Sequence, residues 1–481
     1  MAISLAISSF IGFQIDIRFD EGYTLNTTSR GIAYAITQSL GFEEQAPLYF
    51  VLLSIWRMAD SSLLFARLFS ILMAPLIVWA TAETAKRYIR DLDPLLPAAV
   101  MAVSSQMIWS SIEIRLYALM LLLSCLILIT FYDVFLNTSA SYRRVSLFIL
   151  VCIAAIHTQY FLGFLMVGCG IVVLIAARQS IRSFALSTFV ITLASLPIIY
   201  IMAGQASEVH GHSDGVFGGI LLIRSIYQLT TAMIIPLEWI TNDLLRSWAI
   251  RLFAFVVFIV LIVRLTKRPG RETVALTTIT FVTLILLLTA NYYLGNHGIQ
   301  HRHFSVALIP LVLITFAAFQ YFKSRSVSFG LAAMLMIANL GHVVWANWDI
   351  AKPGDAKRVA SYITDNESEN EPVLIFHADA VLSIREFYRG KNRLVPLPQE
   401  NSFDEWDPRN NVIRSEEQLS AAISNASGDA KRFWLVNDGW CAQGTLKFNC
   451  EILEDFISKN FQVIDEREFL KPTTVRLIER R

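Results

Sequence analysis

The sequence predicts a polytopic α-helical membrane protein that carries a soluble α/β domain at its carboxyl end. Of its 481 residues, 55% are hydrophobic and 16% are charged, and the mean hydropathy is +0.52. These values are typical of an integral membrane protein. About eleven apolar runs approach the roughly 20 residues that a helix needs to cross the hydrocarbon core. After Trp348 the composition changes to that of a soluble domain.

The length of each apolar run predicts the position of a membrane span. The predicted spans lie at 3–17, 64–82, 95–110, 115–136, 145–157, 160–177, 184–203, 247–265, 272–292, 304–322 and 327–346. Clusters of Lys and Arg fall in alternate loops between these spans, and short basic loops are typically cytoplasmic. The amino terminus is then inside, and an odd number of spans puts the tail from Asp349 outside.

This topology defines two predicted domains. Residues 1–348 form the transmembrane domain, in which the outer loop 18–63 carries interfacial helices, and residues 349–481 form a periplasmic α/β domain. We expect the protein in the inner (plasma) membrane of a bacterium, with its functional residues on the periplasmic side, because the outer loops are longer and chemically more mixed than the inner ones.

The tail alternates helix-like and strand-like segments, which predicts a partly parallel sheet. The helix-like segments are 355–366, 379–389, 415–427 and 446–460, and the strand-like runs are 372–376, 432–436 and 475–478. No Gly-rich phosphate loop and no Cys/His metal spacing occurs in this region, so we assign it no catalysis. Cys441 and Cys450 can form a disulfide if the tail faces an oxidising compartment.

Charge and cysteine content exclude two classes of protein. The net charge of +1 argues against a nucleic-acid partner, which requires clustered excess Lys and Arg. Five cysteines in 481 residues exclude a disulfide scaffold. Cys125, Cys152 and Cys169 lie in apolar runs and are expected to be buried.

Several short motifs occur in order along the chain. Asp20 and Glu21 follow the first span, where an interfacial carboxylate costs less than one in hydrocarbon. Taken alone, the pair has the alternative interpretation of two interfacial carboxylates that fix topology. The later motifs are Gln45-Ala46-Pro47-Leu48-Tyr49-Phe50, Phe65-Ala66-Arg67-Leu68-Phe69-Ser70, Trp109-Ser110-Ser111-Ile112-Glu113-Ile114-Arg115-Leu116-Tyr117-Ala118 and His301-Arg302-His303-Phe304 with Pro310.

This ordered set resembles the GT-C membrane glycosyltransferases, in the branch of protein O-mannosyltransferases and lipid A aminoarabinose transferases. The likeness covers roughly residues 10–130 by motif and the remaining spans by architecture. The chain departs from the family pattern at three places. Gln45 and Ala46 replace a basic or His residue and the first Pro, Phe69 replaces a Pro, and His303 takes a position that is usually aromatic.

The resemblance implies transfer of a sugar from a polyprenyl-phosphate carrier to an acceptor hydroxyl of a lipid, glycan or protein at the outer face of the membrane. Asp20 matches the family's base, and attack opposite the phosphate would invert the anomeric configuration. Glu21 beside it would raise the pKa of one carboxyl of the pair.

The other site residues implied by the resemblance would contact the phosphate and the sugar. Arg302 is the first candidate for the departing phosphate and Arg115 the second, and Glu113 would orient hydroxyl groups. Tyr49, Tyr117 and Tyr23 are candidates for lining the sugar pocket, and His301 and His303 flank Arg302.

Each of these assignments has an alternative. Arg115 is equally compatible with a salt bridge to Glu113, and the tyrosines with an interfacial aromatic belt. His297, His301 and His303 with Glu21 offer suitable ligands for a divalent metal, but their spacing is not diagnostic and the reaction does not require a metal, so we predict none. At the level of the whole protein the alternatives are a lipid-linked sugar flippase or transporter and a noncatalytic envelope-assembly protein. The absence of repeated halves in the sequence favours the enzyme.

Overall fold

The computed structural model describes residues 1–137, 141–210, 233–267, 270–298, 301–443 and 445–481, without the side chains of 206–210, 292–298 and 301. The chain divides into two compact units. The helical unit comprises Met1–Gly12, Ser39–Asp60 and Leu64–Asn347, and the sheet unit comprises Phe13–Gln38, Ser61–Leu63 and Trp348–Arg481. The sheet unit therefore contains the segment that follows the first helix as well as the tail.

The described part of the helical unit consists largely of α-helices. Its helices are Ala2–Gly12, Leu48–Arg57, Leu63–Ile71, Met73–Tyr88, Leu95–Ala102, Ser105–Ile112, Tyr117–Phe131, Tyr142–Ile156, Leu162–Ala176, Ile181–His210, Asp243–Thr266, Arg271–Gly298, Leu308–Phe319 and Arg325–Ala346. A π-helical turn at Tyr132–Leu136 and 3₁₀ turns at Arg178–Ser180, His301–Ala307 and Gln320–Phe322 extend or precede them. Each of the eleven predicted spans falls on one or two of these helices.

The helices include enough long apolar segments for a multi-pass membrane protein. Within the described residues, seven helical segments of 20 to 28 residues are long and apolar enough to cross a membrane. An eighth is the pair Leu95–Ala102 and Ser105–Ile112 if its 54° bend lies within one span. The bend occurs where Ser104 caps the second helix by accepting a hydrogen bond from the Met107 N–H. The predicted fold class, a polytopic helical protein with an α/β domain, is confirmed.

The predicted first span at 3–17 is too long, because its helix ends at Gly12. The carbonyl of Gly12 accepts a 2.6 Å hydrogen bond from Nη1 of the fully buried Arg67, which satisfies a group at the helix end. A Cβ at Gly12 would lie 2.9 Å from Ile71, so glycine allows this close approach. Eleven residues span only about 16 Å as a helix, and the following residues belong to the sheet unit.

The sheet unit is built on a five-stranded sheet, with a small hairpin beside it. Its strands are β1 (Val373–Phe376), β2 (Leu394–Pro396), β3 (Arg432–Asn437), β4 (Ala442–Gln443), β5 (Leu446–Lys447), β6 (Phe461–Glu468) and β7 (Thr474–Arg480). The main sheet has the order β2-β1-β3-β7-β6. The pairs of β1 with β2 and β3 are parallel, whereas β7 runs antiparallel to β3 and β6. The partly parallel sheet and the strands β1, β3 and β7 agree with the prediction.

Six α-helices of the described chain lie wholly or largely in the same unit. They are Phe19–Thr27, Ile32–Leu40, Ala356–Asn366, Val381–Phe387, Glu416–Ser427 and Cys450–Asn460, with 3₁₀ turns at Ala378–Ala380 and Pro408–Asn411. The core is formed by side chains such as Phe376, Leu435 and Leu453, which are completely or almost completely buried. Cys441 and Cys450 form a disulfide that joins the β4–β5 hairpin to the start of the last helix.

Candidate active site

The predicted acidic pair begins the helix Phe19–Thr27, which lies in the sheet unit. Asp20 and Glu21 occupy the first turn, where negative charge is favoured by the helix dipole. The Glu21 carboxylate accepts a 3.0 Å hydrogen bond from the backbone N–H of Arg18 and so caps the helix start. Every residue from Glu21 to Thr27 is buried, whereas Phe19 and Asp20 are half-buried. Asp20 is therefore the more accessible carboxylate of the pair.

Glu21 is held by a buried ion pair. Its carboxylate is completely buried and contacts the ammonium group of Lys352, a side chain that is itself 7% exposed. The backbone N–H of Lys352 donates a 2.6 Å hydrogen bond to Asp16. Burial raises the pKa of the Asp16 carboxyl from 3.8 to about 7, against the opposing effect of Lys352. Lys352 thus links Asp16, which precedes helix Phe19–Thr27, to Glu21 in its first turn.

A second group of contacts holds the same helix at the carboxyl edge of the sheet. The Tyr23 hydroxyl donates a 2.6 Å hydrogen bond to the buried carboxylate of Asp379, which follows β1. Asn401 and Asn411 donate to the same carboxylate at 3.3 and 3.1 Å. His377 lies beside it, with its Nε2 3.4 Å from a carboxylate oxygen of Asp379. Asp379 is therefore a shared acceptor for groups from several segments.

Close packing accompanies these hydrogen bonds. A Cβ at Gly22 would lie 2.7 Å from the Cβ of Leu382, so only glycine allows the two helices to approach this closely. The ring of Phe19 lies 5.5 Å from that of Trp440 in an edge-to-face arrangement, and 6.2 Å from the His377 ring. The helix is therefore held along its whole length, and Asp20 lies on its half-exposed first turn.

The helical unit contains a separate group of the predicted residues. Arg115 is buried, and its Nη1 lies 2.9 Å from a carboxylate oxygen of Glu43, with both side chains less than 10% exposed. Arg115 therefore forms an ion pair with Glu43, which lies 72 residues earlier in the chain. Glu113, the predicted partner, is buried at the end of helix Ser105–Ile112.

Arg302 is half-buried in the 3₁₀ turn His301–Ala307 and lies near the rings of Tyr117 and Trp109. Its guanidinium carbon lies 6.0 Å from the centre of the Tyr117 ring, at the outer limit of a cation–π contact. The Tyr117 ring lies 5.1 Å from that of Trp109. The structure thus joins motifs that are about 185 residues apart in the sequence.

The remaining predicted residues are dispersed within the helical unit. Tyr49 is buried against the rings of Phe50 and Phe69. His303 is half-buried, with its ring 5.4 Å from that of Phe161. His301 begins the 3₁₀ turn, and its side chain lies outside the described part of the structure.

No group of three or more His, Cys, Asp or Glu side chains that could hold a metal ion occurs among those that the structure describes. The side chains of His297 and His301 are outside this set. Of the four residues considered as metal ligands, His303 and Glu21 have described side chains.

Four residues that bind the predicted site residues or their partners were not predicted from the sequence, namely Asp16, Glu43, Lys352 and Asp379. A signal existed for Asp16, because a carboxylate within an apparent span is costly and usually functional or paired. For Lys352 and Asp379 no local signal exists, because their partners Glu21 and Tyr23 lie 331 and 356 residues away.

Comparison with known proteins identifies the fold. No protein-family model matches the sequence, and no curated protein matches it. Two crystal structures of ArnT from Cupriavidus metallidurans, one bound to undecaprenyl phosphate and one in the apo state, match 99% of this chain and 96% and 97% of theirs. Their TM-scores are 0.54 and 0.55 at 12% identity.

The oligosaccharyltransferase of Archaeoglobus fulgidus, in complex with zinc and sulfate, also matches, with a TM-score of 0.50 at 12% identity. The match covers 90% of this chain and 67% of that one. The chain has the GT-C fold. The predicted resemblance is confirmed at the level of the fold, and the GT-C architecture extends over the helical spans and the tail together.

Proposed function

We propose that the protein is a membrane glycosyltransferase that moves a sugar from a polyprenyl-phosphate carrier to an acceptor hydroxyl. The GT-C fold supports this proposal, since ArnT, a protein of the same fold, was crystallised with undecaprenyl phosphate. The observation that carries it is the position of Asp20. This carboxylate matches the family's base by motif, and it stands half-exposed at the start of a helix whose other acidic residue is buried and paired.

The reaction assigns Asp20 the removal of a proton from the acceptor hydroxyl as its oxygen attacks the anomeric carbon. The new carbon–oxygen bond forms as the bond to the carrier phosphate breaks, and attack from the opposite side inverts the configuration. Glu21 holds this base in place. Its buried ion pair with Lys352 and its hydrogen bond from the Arg18 N–H fix the first turn of the helix on which Asp20 lies.

The departing carrier phosphate gains negative charge, which requires a fixed cation. Arg302 is assigned this role, because its half-buried guanidinium is placed over Tyr117 and its planar fork matches phosphate oxygens. Arg115 is assigned the second cationic position. Its ion pair with Glu43 would hold its guanidinium in one orientation. Glu113, Tyr49, Tyr117, His301 and His303 are assigned contacts with the sugar or acceptor.

We further propose that the sheet unit faces the periplasm of a bacterial inner membrane. The basic loops between the spans are expected in the cytoplasm, and the Cys441–Cys450 disulfide is expected in an oxidising compartment. The acceptor is a lipid, glycan or protein exposed on that side.

Mass spectrometry of envelope lipids and glycans tests the proposal. Cells that produce the wild type, Asp20→Asn or no protein are compared, and each variant is quantified in the membrane. We expect a saccharide-bearing product that is present only with the wild type. A product profile that is the same in all three strains would contradict the enzyme, and a product retained by Asp20→Asn would favour a flippase or an assembly protein.

A further inference from the structure

The geometry of the sheet unit points to a positioning role for Asp379. We propose that this carboxylate, through the Tyr23 hydroxyl, holds helix Phe19–Thr27 in the orientation that Asp20 needs for catalysis. The inference rests on the proposed function of Asp20. It gives the tail, to which the sequence assigned no catalysis, a part in the reaction.

The first step of the argument is the position of Asp379 at the end of β1. The strand Val373–Phe376 is completely buried and pairs in parallel with β3 on one side and β2 on the other. Asp379 lies in the 3₁₀ turn Ala378–Ala380 that follows, and it is 1% exposed. Because a central strand is fixed by both neighbours, the turn at its carboxyl end is a rigid support.

The second step is the set of donors around this carboxylate. Tyr23 and Asn401 donate to Oδ1, and Asn411 donates to Oδ2. Asn411 is itself fixed, because its Oδ1 accepts a 3.0 Å bond from the Ala378 N–H. A buried carboxylate requires such donors, and hydrogen bonds to an ionised acceptor are the strong ones. The bond from Tyr23 is the shortest of the three, at 2.6 Å.

The third step is the relation of Tyr23 to Asp20. The two residues are three positions apart in one helix, so they lie on neighbouring parts of its surface. Gly22, between them, packs against Leu382 in the helix that follows Asp379. A rotation or shift of the helix that breaks the Tyr23 contact therefore moves Asp20 as well. Misplacement of a catalytic group by about 1 Å can lower the rate about 100-fold.

The test uses the full-length protein in lipid nanodiscs and two conservative variants, Tyr23→Phe and Asp379→Asn. A matched control, Ile423→Val, weakens the core of the same unit at a completely buried position in helix Glu416–Ser427. Hydrogen–deuterium exchange of the amides of residues 19–27 reports the docking of the helix. The rate of sugar transfer is measured with undecaprenyl-phosphate-linked sugars extracted from the source cells, well below the melting temperature of each variant.

We expect amides 19–27 to exchange at least tenfold faster in both variants than in the wild type, and the maximal transfer rate to fall about 10- to 100-fold. Affinity for undecaprenyl phosphate should stay within about threefold of the wild type. The double variant should be no slower than the slower single variant, because both substitutions break one contact. Ile423→Val should change neither amide exchange nor transfer rate.

The failures are distinguishable. A wild type that transfers no sugar would overturn the proposed function and the positioning role with it. If Asp20→Asn is inactive while Asp379→Asn transfers at the wild-type rate, the proposed function stands and the positioning role is overturned. Unchanged amide exchange in both Tyr23→Phe and Asp379→Asn would also overturn the positioning role.

Discussion

The two units of the molecule use buried polar groups in different ways. In the helical unit, many polar contacts between helices join a single pair of groups, such as Gln106 with Ser305 at 2.6 Å and the Tyr88 hydroxyl with the Leu128 carbonyl at 2.9 Å. Asn339, which contacts both the Ser105 N–H and the Ile234 carbonyl, is an exception. In the sheet unit, single groups are shared by several segments. Asp379 accepts hydrogen bonds from three side chains, and Lys352 binds Asp16 through its backbone N–H and Glu21 through its ammonium group.

From this difference we expect substitutions at shared groups to reduce stability more than substitutions at single pairs. A separate pair contributes the free energy of one contact, so its loss is local. A shared group connects residues from distant parts of the chain, so its loss leaves several buried partners unsatisfied at once. The candidate base Asp20 belongs to the sheet unit, in which buried polar groups are shared by several segments.

The largest effect is expected from Lys352→Met, which leaves the carboxylate of Glu21 buried without its ammonium partner. Removal of one partner from a buried ion pair typically costs about 3–5 kcal/mol. Thermal unfolding of the full-length protein, followed together with exchange in residues 13–27, measures the loss. Lys391→Met is the control, because Lys391 and its partner Glu369 are both more than 80% exposed and such pairs contribute at most about 1 kcal/mol. Equal losses in the two variants would contradict a large contribution of the buried Lys352–Glu21 ion pair to stability.

The second effect depends on pH and concerns Asp16. Its pKa is raised from 3.8 to about 7, so the folded state holds the proton more tightly than the unfolded state. Stability from this group is therefore fully present below pH 4 and is lost as the pH rises from about 4 to 7. The total change is on the order of 4 kcal/mol, from 1.36 kcal/mol for each pKa unit.

Asp16→Asn should remove this dependence. We expect the melting temperature of the variant, relative to that of the wild type, to rise between pH 4 and 7 and then to stay constant. Melting curves at half-unit steps of pH measure the difference, in which the titration of the groups common to both proteins largely cancels. A difference that does not vary with pH would show that Asp16 has an ordinary pKa.

A smaller effect is expected in the helical unit from Ser305→Ala. The substitution leaves the buried Nε2 of Gln106 without the acceptor that it has in the structure. One buried polar group left unsatisfied costs about 1–3 kcal/mol. Because the contact is a separate pair, combining Ser305→Ala with Lys352→Met should give additive losses in unfolding free energy. A loss as large as that of Lys352→Met alone would contradict the contrast between the units.

The sequence predicted the elements of the fold that have a local pattern. Each of the eleven predicted apolar runs falls on one or two helices, and the strand-like runs predicted β1, β3 and β7. The sequence did not predict β2, β4 and β5, which have two or three residues each, or β6, whose residues Gln462–Glu468 are all exposed and include four charged side chains. A strand with neither alternation nor an apolar run has no signal that a single sequence can show.

The candidate site was predictable only in part. The order of the motifs makes Asp20, Arg302 and Tyr117 candidate site residues, because each stands in a short motif of its own. Neither Lys352 nor Asp379 stands in such a motif, and the contacts that they make depend on the packing of the whole unit. The boundary of the first span was wrong for a related reason, since Gly12 ends the helix through a contact with Arg67, 55 residues later.

The most direct test of the account is the transfer rate of purified Asp20→Asn in nanodiscs, measured beside Asp16→Asn. The two variants carry the same substitution four positions apart in the same unit, and undecaprenyl phosphate binding verifies that each is folded. We predict that Asp20→Asn loses transfer by about 10²- to 10⁴-fold, the usual contribution of a general base, whereas Asp16→Asn stays within about threefold of the wild type. Transfer by Asp20→Asn at the wild-type rate would contradict the account.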